Sequence, residues 1–124
     1  MSCPAPPRAR HRDLVAGWPA LFLWIIPATL ILVGAFVPAA RALLWIPSFA
    51  LMGLSCVVNA RRCGRLHCHA TGPLFLAAAF VTWLDAAGTH FLPWKAVLAI
   101  VAIGTVVAFA AEWVRGRYLG TAVS

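Results

Sequence analysis

Along the chain, long apolar stretches alternate with brief polar ones. No Asp, Glu, Lys or Arg occurs between Asp13 and Arg41, between Arg41 and Arg61, between Arg65 and Asp85, or between Lys95 and Glu112. A helix rises about 1.5 Å per residue, so about 17 to 25 apolar residues cross a hydrocarbon core roughly 30 Å thick. The pattern predicts helices over residues 18–37, 42–59, 73–92 and 94–113. Val37-Pro38-Ala39-Ala40 and Leu92-Pro93 supply breaks, because proline lacks a backbone donor and is tolerated best at a helix end. Connections this short make neighbouring helices antiparallel. The expected fold is an all-α polytopic membrane protein of four transmembrane helices arranged as two hairpins. Residues 14–117 form that domain, preceded by a disordered basic leader at 1–13 and followed by a short tail at 118–124.

Composition agrees with this reading. The 124 residues are 63% hydrophobic and 10% charged, against about 25% charged in soluble domains. The lipid bilayer is therefore the first expected partner. Basic residues collect on the cytoplasmic side of short loops. Arg8, Arg10 and Arg12 precede the first helix, Arg61, Arg62 and Arg65 lie between the second and third, and Arg115 and Arg117 follow the fourth, leaving only Arg41 and Lys95 opposite. This split predicts a multi-pass inner-membrane protein with both termini and the 60–72 loop in the cytoplasm. Trp18, Trp45, Trp94 and Trp113 fall near helix ends, where an aromatic belt would place them. Ala40-Arg41-Ala42 resembles a signal-peptidase site, but the apolar stretch before it is longer than the usual core of about 7 to 15 residues. Topology accounts for most of the net charge of +7, and no nucleic-acid-binding module is recognisable, so nucleic acid is not an expected partner.

The chemistry gathers in NARRCGRLHCHATGP, residues 59–73. This expected loop presents Cys63, His67, Cys68 and His69 as C-x-x-x-H-C-H beside three arginines, whose charge favours the thiolate form that binds metals. Met52, Cys56, Asn59 and Cys63 recur at i, i+4, i+7 and i+11, the spacing of one helical face. The candidate ligands are Cys63, Cys68, Cys56, His67, His69 and Met52. Soft sulfur donors of this kind select Cu(I) and, less exclusively, Zn(II), and by the same softness Hg(II). A graded row of donors suits handing an ion on better than trapping it. The adjacent His67-Cys68-His69 lacks the separated ligand pairs of a closed structural zinc site.

Asp85 is the one acid between Arg65 and Lys95. Such residues within a span cost on the order of 2.5 to 3.5 kcal/mol at its centre and mark ion or proton paths. With Thr82 and Thr89 it forms a polar stripe, and His90 follows near the outer interface. Asp85 and His90 thus read as an outer admission or proton-coupling site, or Asp85 pairs with Arg41 or Lys95 and fixes packing. Glu112, three residues before Arg115, reads as an interfacial ion pair.

With Cys56 in a helix and Cys63 and Cys68 in the loop that follows, residues 50–92 resemble in general plan the small membrane mercuric-ion transport proteins of bacterial mercury-resistance systems. The chain departs from that pattern in having no vicinal cysteine pair in its first helix. The resemblance implies a transporter that passes Hg(II) along cysteines to a cytoplasmic dithiol acceptor such as a mercuric reductase. Cu(I) transport, a metal-binding membrane protein, or a structural subunit with a docking loop are the alternatives. The transported ion is the only expected ligand, with no permanent cofactor and no enzymatic activity. A thiol-disulfide enzyme would need a C-x-x-C pair, absent here, and the first helix has no carboxylate of the kind small multidrug exporters carry. Four helices barely enclose a path, so a homodimer is also expected, with Gly34 and Gly53 as points of close helix contact.

Overall fold

The computed structural model describes residues 18–64 and 66–115, with the backbone alone described at Arg62 and Cys63. The expected leader at 1–13 and tail at 118–124 lie outside these residues. Among the described residues every regular element is helical. Helix α1 covers Trp18–Phe36, α2 Arg41–Cys63, α3 Leu66–Ala86 and α4 Trp94–Arg115.

Three stretches are long and apolar enough to cross a membrane: Trp18–Phe36, Pro38–Arg61 and Trp94–Arg115. Four were expected. Helix α3 is 21 residues long, but His67, His69, Thr71, Thr82 and Asp85 dilute its apolar character at both ends.

Helix α1 is not uniform. Its α-helical turns at Trp18–Ala20 and Ile26–Phe36 flank a π-helical turn at Leu21–Ile25, closed by the Ile26 N–H on the Leu21 carbonyl. Pro27 lies just beyond. It has no N–H to offer the turn before it, and a π-turn is one way a helix absorbs that loss. At the other end the Arg41 guanidinium donates to the carbonyls of Gly34 and Ala35 at 3.0 and 3.2 Å, satisfying acceptors in the last turn. Trp45 is buried rather than placed in an interfacial belt, and its Nε1–H donates to the Ile31 carbonyl at 2.8 Å.

The main correction concerns the expected 60–72 loop, most of which is helix. Helix α2 continues through Cys63 and stops at Gly64, which takes the left-handed conformation at φ 64° and donates its N–H to the Ala60 carbonyl. Helix α3 then begins at Leu66, so Pro73 lies inside it rather than at its start. Its carbonyl partner four residues back belongs to exposed His69, on a face where water can replace the lost bond. The third helix ends at Ala86 instead of residue 92. Gly88 at φ 97°, with Thr89 N–H on Leu84 O and Gly88 N–H on Asp85 O, forms the paired bonds of a Schellman stop.

Successive helices pack on one another, and their contacts run in opposite sequence order. Thr71 meets Cys56 while Cys68 meets Asn59, and along α3 and α4 His67 meets Glu112 while Leu74 approaches Gly104. Each pair is therefore antiparallel. Two glycines let α2 and α3 approach closely: a Cβ on Gly53 would lie 2.9 Å from the Leu76 backbone nitrogen, and one on Gly72 3.2 Å from that of Val57. Gly53 thus serves a close helix contact within the chain, and Gly34 likewise faces the Trp45 ring.

Candidate functional site

Helix α2 buries the row Ser48, Met52, Cys56 and Asn59 against its neighbours, the face that the spacing anticipates. Because α3 runs back beside it from the Gly64 turn, the first turn of α3 meets the last turns of α2. The Cys56 sulfur, a His67 ring nitrogen and the Cys68 sulfur lie within 4.8 Å of one another, all buried. Two donors about 2.3 Å from an ion and directly opposite each other would stand ~4.6 Å apart. The cluster is thus close to ligating size.

Each donor also has a partner behind it. The Thr71 hydroxyl lies 3.4 Å from Cys56 Sγ and 2.9 Å from the His67 carbonyl, so its single proton can serve either. Asn59 Nδ2 donates to Cys68 Sγ at 3.5 Å. Glu112 Oε1 sits 2.7 Å from His67 Nδ1 and 3.2 Å from the His67 backbone nitrogen. His67 Nε2 faces Cys68 Sγ at 3.4 Å. The rings of Phe109, stacked at 4.1 Å, and Trp24, edge-on at 5.7 Å, confine the imidazole. Trp24 reaches it from the π-turn of α1, and π-turns are frequent at functional sites.

Of the three arginines expected to favour thiolates, Arg61 is the one whose side chain the structure describes. Arg61 is exposed, while Cys56 and Cys68 turn into the bundle toward Thr71, Asn59 and His67. Of the other expected ligands, Met52 is buried one turn from Cys56, His69 is exposed, and the Cys63 side chain lies outside the described residues.

Asp85 and His90 are close together at the far end, 2.6 Å apart. Neither Arg41 nor Lys95 is the partner. Asp85 borders a cleft of about 110 Å³ with Arg41, Thr82 and Trp94, and the Arg41 guanidinium rests 4.0 Å over the Trp94 ring. Thr89 falls beyond the end of α3, so the expected stripe stops at Asp85.

Glu112 is the residue that sequence reasoning undervalued. Three residues from Arg115, it resembled an exposed i, i+3 pair. Its one available signal was being the sole acid in a helix whose other charged residues, Lys95 and Arg115, lie at its ends. No family model matches this chain, and the comparisons with curated proteins and with solved structures find no match either.

Proposed function

We propose that the protein is a multi-pass inner-membrane transporter of a soft metal ion, Hg(II) ahead of Cu(I), with four spanning helices and the Gly64 turn and both termini in the cytoplasm. The observation carrying this reading is the gathering of Cys56, His67 and Cys68 within 4.8 Å of one another. Exposed Leu32, Leu54, Phe80, Ile103 and Val106 support the membrane part of the reading, since large apolar side chains so displayed suit a lipid surrounding.

In this mechanism the ion exchanges onto the Cys56 and Cys68 sulfurs, each thiol giving up its proton as the metal–sulfur bond forms, and His67 adds a nitrogen donor. Exchange then moves the ion toward Cys63 and His69 at the Gly64 end, where a cytoplasmic dithiol protein, in the role of a mercuric reductase, accepts it. The full burial of the three donors favours a second reading, a metal-binding membrane protein that retains its ion.

Uptake by proteoliposomes tests the proposal. The unsubstituted protein should accumulate Hg(II) or Cu(I) inside the vesicle, and Cys56→Ser/Cys68→Ser should reduce accumulation to that of empty vesicles. Equal uptake by both proteins refutes it. An ion that stays bound to the unsubstituted protein without crossing identifies the second reading.

A further inference from the structure

We propose that Glu112 is the positioning residue of the Cys56–His67–Cys68 site, holding the His67 imidazole by Nδ1 so that Nε2 is presented to the metal. The proposal rests on reading that cluster as a metal site. It goes further by assigning a role to a residue on a different helix, 45 positions away in sequence.

Glu112 is buried in α4, where an unpartnered carboxylate would be costly. One oxygen, Oε1, faces two groups of the same residue: the His67 ring at 2.7 Å and the His67 backbone N–H at 3.2 Å. The backbone group is one of the donors left open in the first turn of α3, where a carboxylate also complements the helix dipole. One acidic group thus fixes both the place of His67 and the turn of its ring.

The tautomer follows from the donor inventory. In the neutral ring, a carboxylate that only accepts puts the proton on Nδ1 and leaves the lone pair on Nε2. That nitrogen is the one facing Cys68 Sγ, at 3.4 Å. Phe109 stacked on the ring at 4.1 Å opposes its tilting. Metal-ligating histidines almost always donate their other ring N–H to a carboxylate, carbonyl or water in this way, and loss of that partner typically weakens metal binding 10- to 100-fold. A carboxylate serving only to complement the helix end would have no bearing on which ring nitrogen meets the sulfurs.

The test uses the full-length protein in detergent with Zn(II) as probe, read by X-ray absorption, which separates Zn–N at about 2.0–2.1 Å from Zn–S at about 2.3 Å. The unsubstituted protein should show two sulfurs and an imidazole. Glu112→Gln, whose amide oxygen can accept the same bonds, should keep all three. Glu112→Leu should keep the sulfurs, lose the imidazole and bind Zn(II) about 10- to 100-fold more weakly. Combined with His67→Ala it should cost nothing further, because the two residues act through one ligand.

Imidazole retained in Glu112→Leu, or losses that add in the double variant, overturns the proposal. Should Glu112→Leu fail to fold, Glu112→Gln decides: imidazole kept supports positioning by hydrogen bond, and imidazole lost overturns it. If the unsubstituted protein binds no Zn(II), Cu(I) or Hg(II), the reading of the cluster as a metal site falls and this proposal with it.

Discussion

His67 and Glu112 meet at 2.7 Å beside the Gly64 turn, and His90 and Asp85 meet at 2.6 Å beside the Gly88 turn. The two pairs contain the same chemistry at nearly the same distance. Their surroundings separate them: the side chains of the first are 0% and 3% exposed, those of the second 78% and 48%. The first joins residues 45 apart on two helices, the second residues five apart across one turn. Water weakens the exposed attraction and hydrates either partner alone, whereas burial removes that hydration from both members of the inner pair. The lesson is that a histidine–carboxylate contact becomes a demanding element only where the fold assembles it away from water. Among the described residues, only the inner pair adjoins cysteine sulfur.

The sharpest way to break this contrast is to remove the buried acid. Glu112→Ala leaves the His67 ring and a helix-terminal N–H facing a vacated, buried space. Deleting one member of a buried pair costs about 3–5 kcal/mol, so the unfolding free energy, measured by reversible denaturation in mixed micelles, should fall by that order. A loss below about 1 kcal/mol would show that water reaches Glu112 as freely as it reaches Asp85, and the two environments would not differ.

How much of this was legible beforehand depended on the range of the interaction. Apolar runs located the helices to within a turn at most ends, since burial and lipid both act on the same continuous pattern. The buried row Ser48, Met52, Cys56 and Asn59 was readable because helical periodicity is local. The 60–72 segment misled because its Arg, Cys, His, Gly and Pro content resembles a loop. The left-handed Gly64 ends α2, and α3 tolerates Pro73 in its interior. Cys68 and His67 were expected in a basic loop beyond Cys56, whereas the structure places them in the packed first turn of α3, close to Cys56. Glu112 could not be placed at all, since nothing within α4 states that its neighbour lies at the start of α3. The Asp85–His90 proximity was accessible to spacing, while its partnership depended on where α3 stopped.

A second prediction addresses how the inner pair is kept dry. The close approach of α2 and α3 holds Cys56 beside Thr71 and Cys68, and Gly72 permits it. A Cβ there would stand 2.8 Å from Val57 Cγ2 and 3.2 Å from the Val57 backbone nitrogen. The side chain can rotate away, but the backbone nitrogen cannot, so α2 and α3 must separate slightly. Overpacking of this kind costs about 1–3 kcal/mol. Gly72→Ala should lower stability by that amount and speed labelling of Cys56 and Cys68 by a membrane-permeant maleimide, detected by mass spectrometry of the labelled peptides. Unchanged labelling would show that the approach of the two helices does not protect the sulfurs.

The smallest effect belongs to the outer pair. Asp85 lies in the last turn of α3, where the helix dipole disfavours negative charge, so Asp85→Asn removes an unfavourable interaction along with the attraction to His90. The pair also spans only five residues, close enough to meet in the unfolded chain and so contribute to both states. These opposing terms should leave a net change within about 1 kcal/mol of zero. Whatever remains should vanish with salt, because the screening length falls from about 30 Å at 0.01 M to about 3 Å at 1 M. The cost of Glu112→Ala should persist, since ions do not reach the buried Glu112 carboxylate. Measuring both variants at the two salt concentrations separates the ends of the bundle in one experiment. A large, salt-independent loss for Asp85→Asn would instead make the outer pair an anchor of the Gly88 turn, and exposure would no longer be what distinguishes the two.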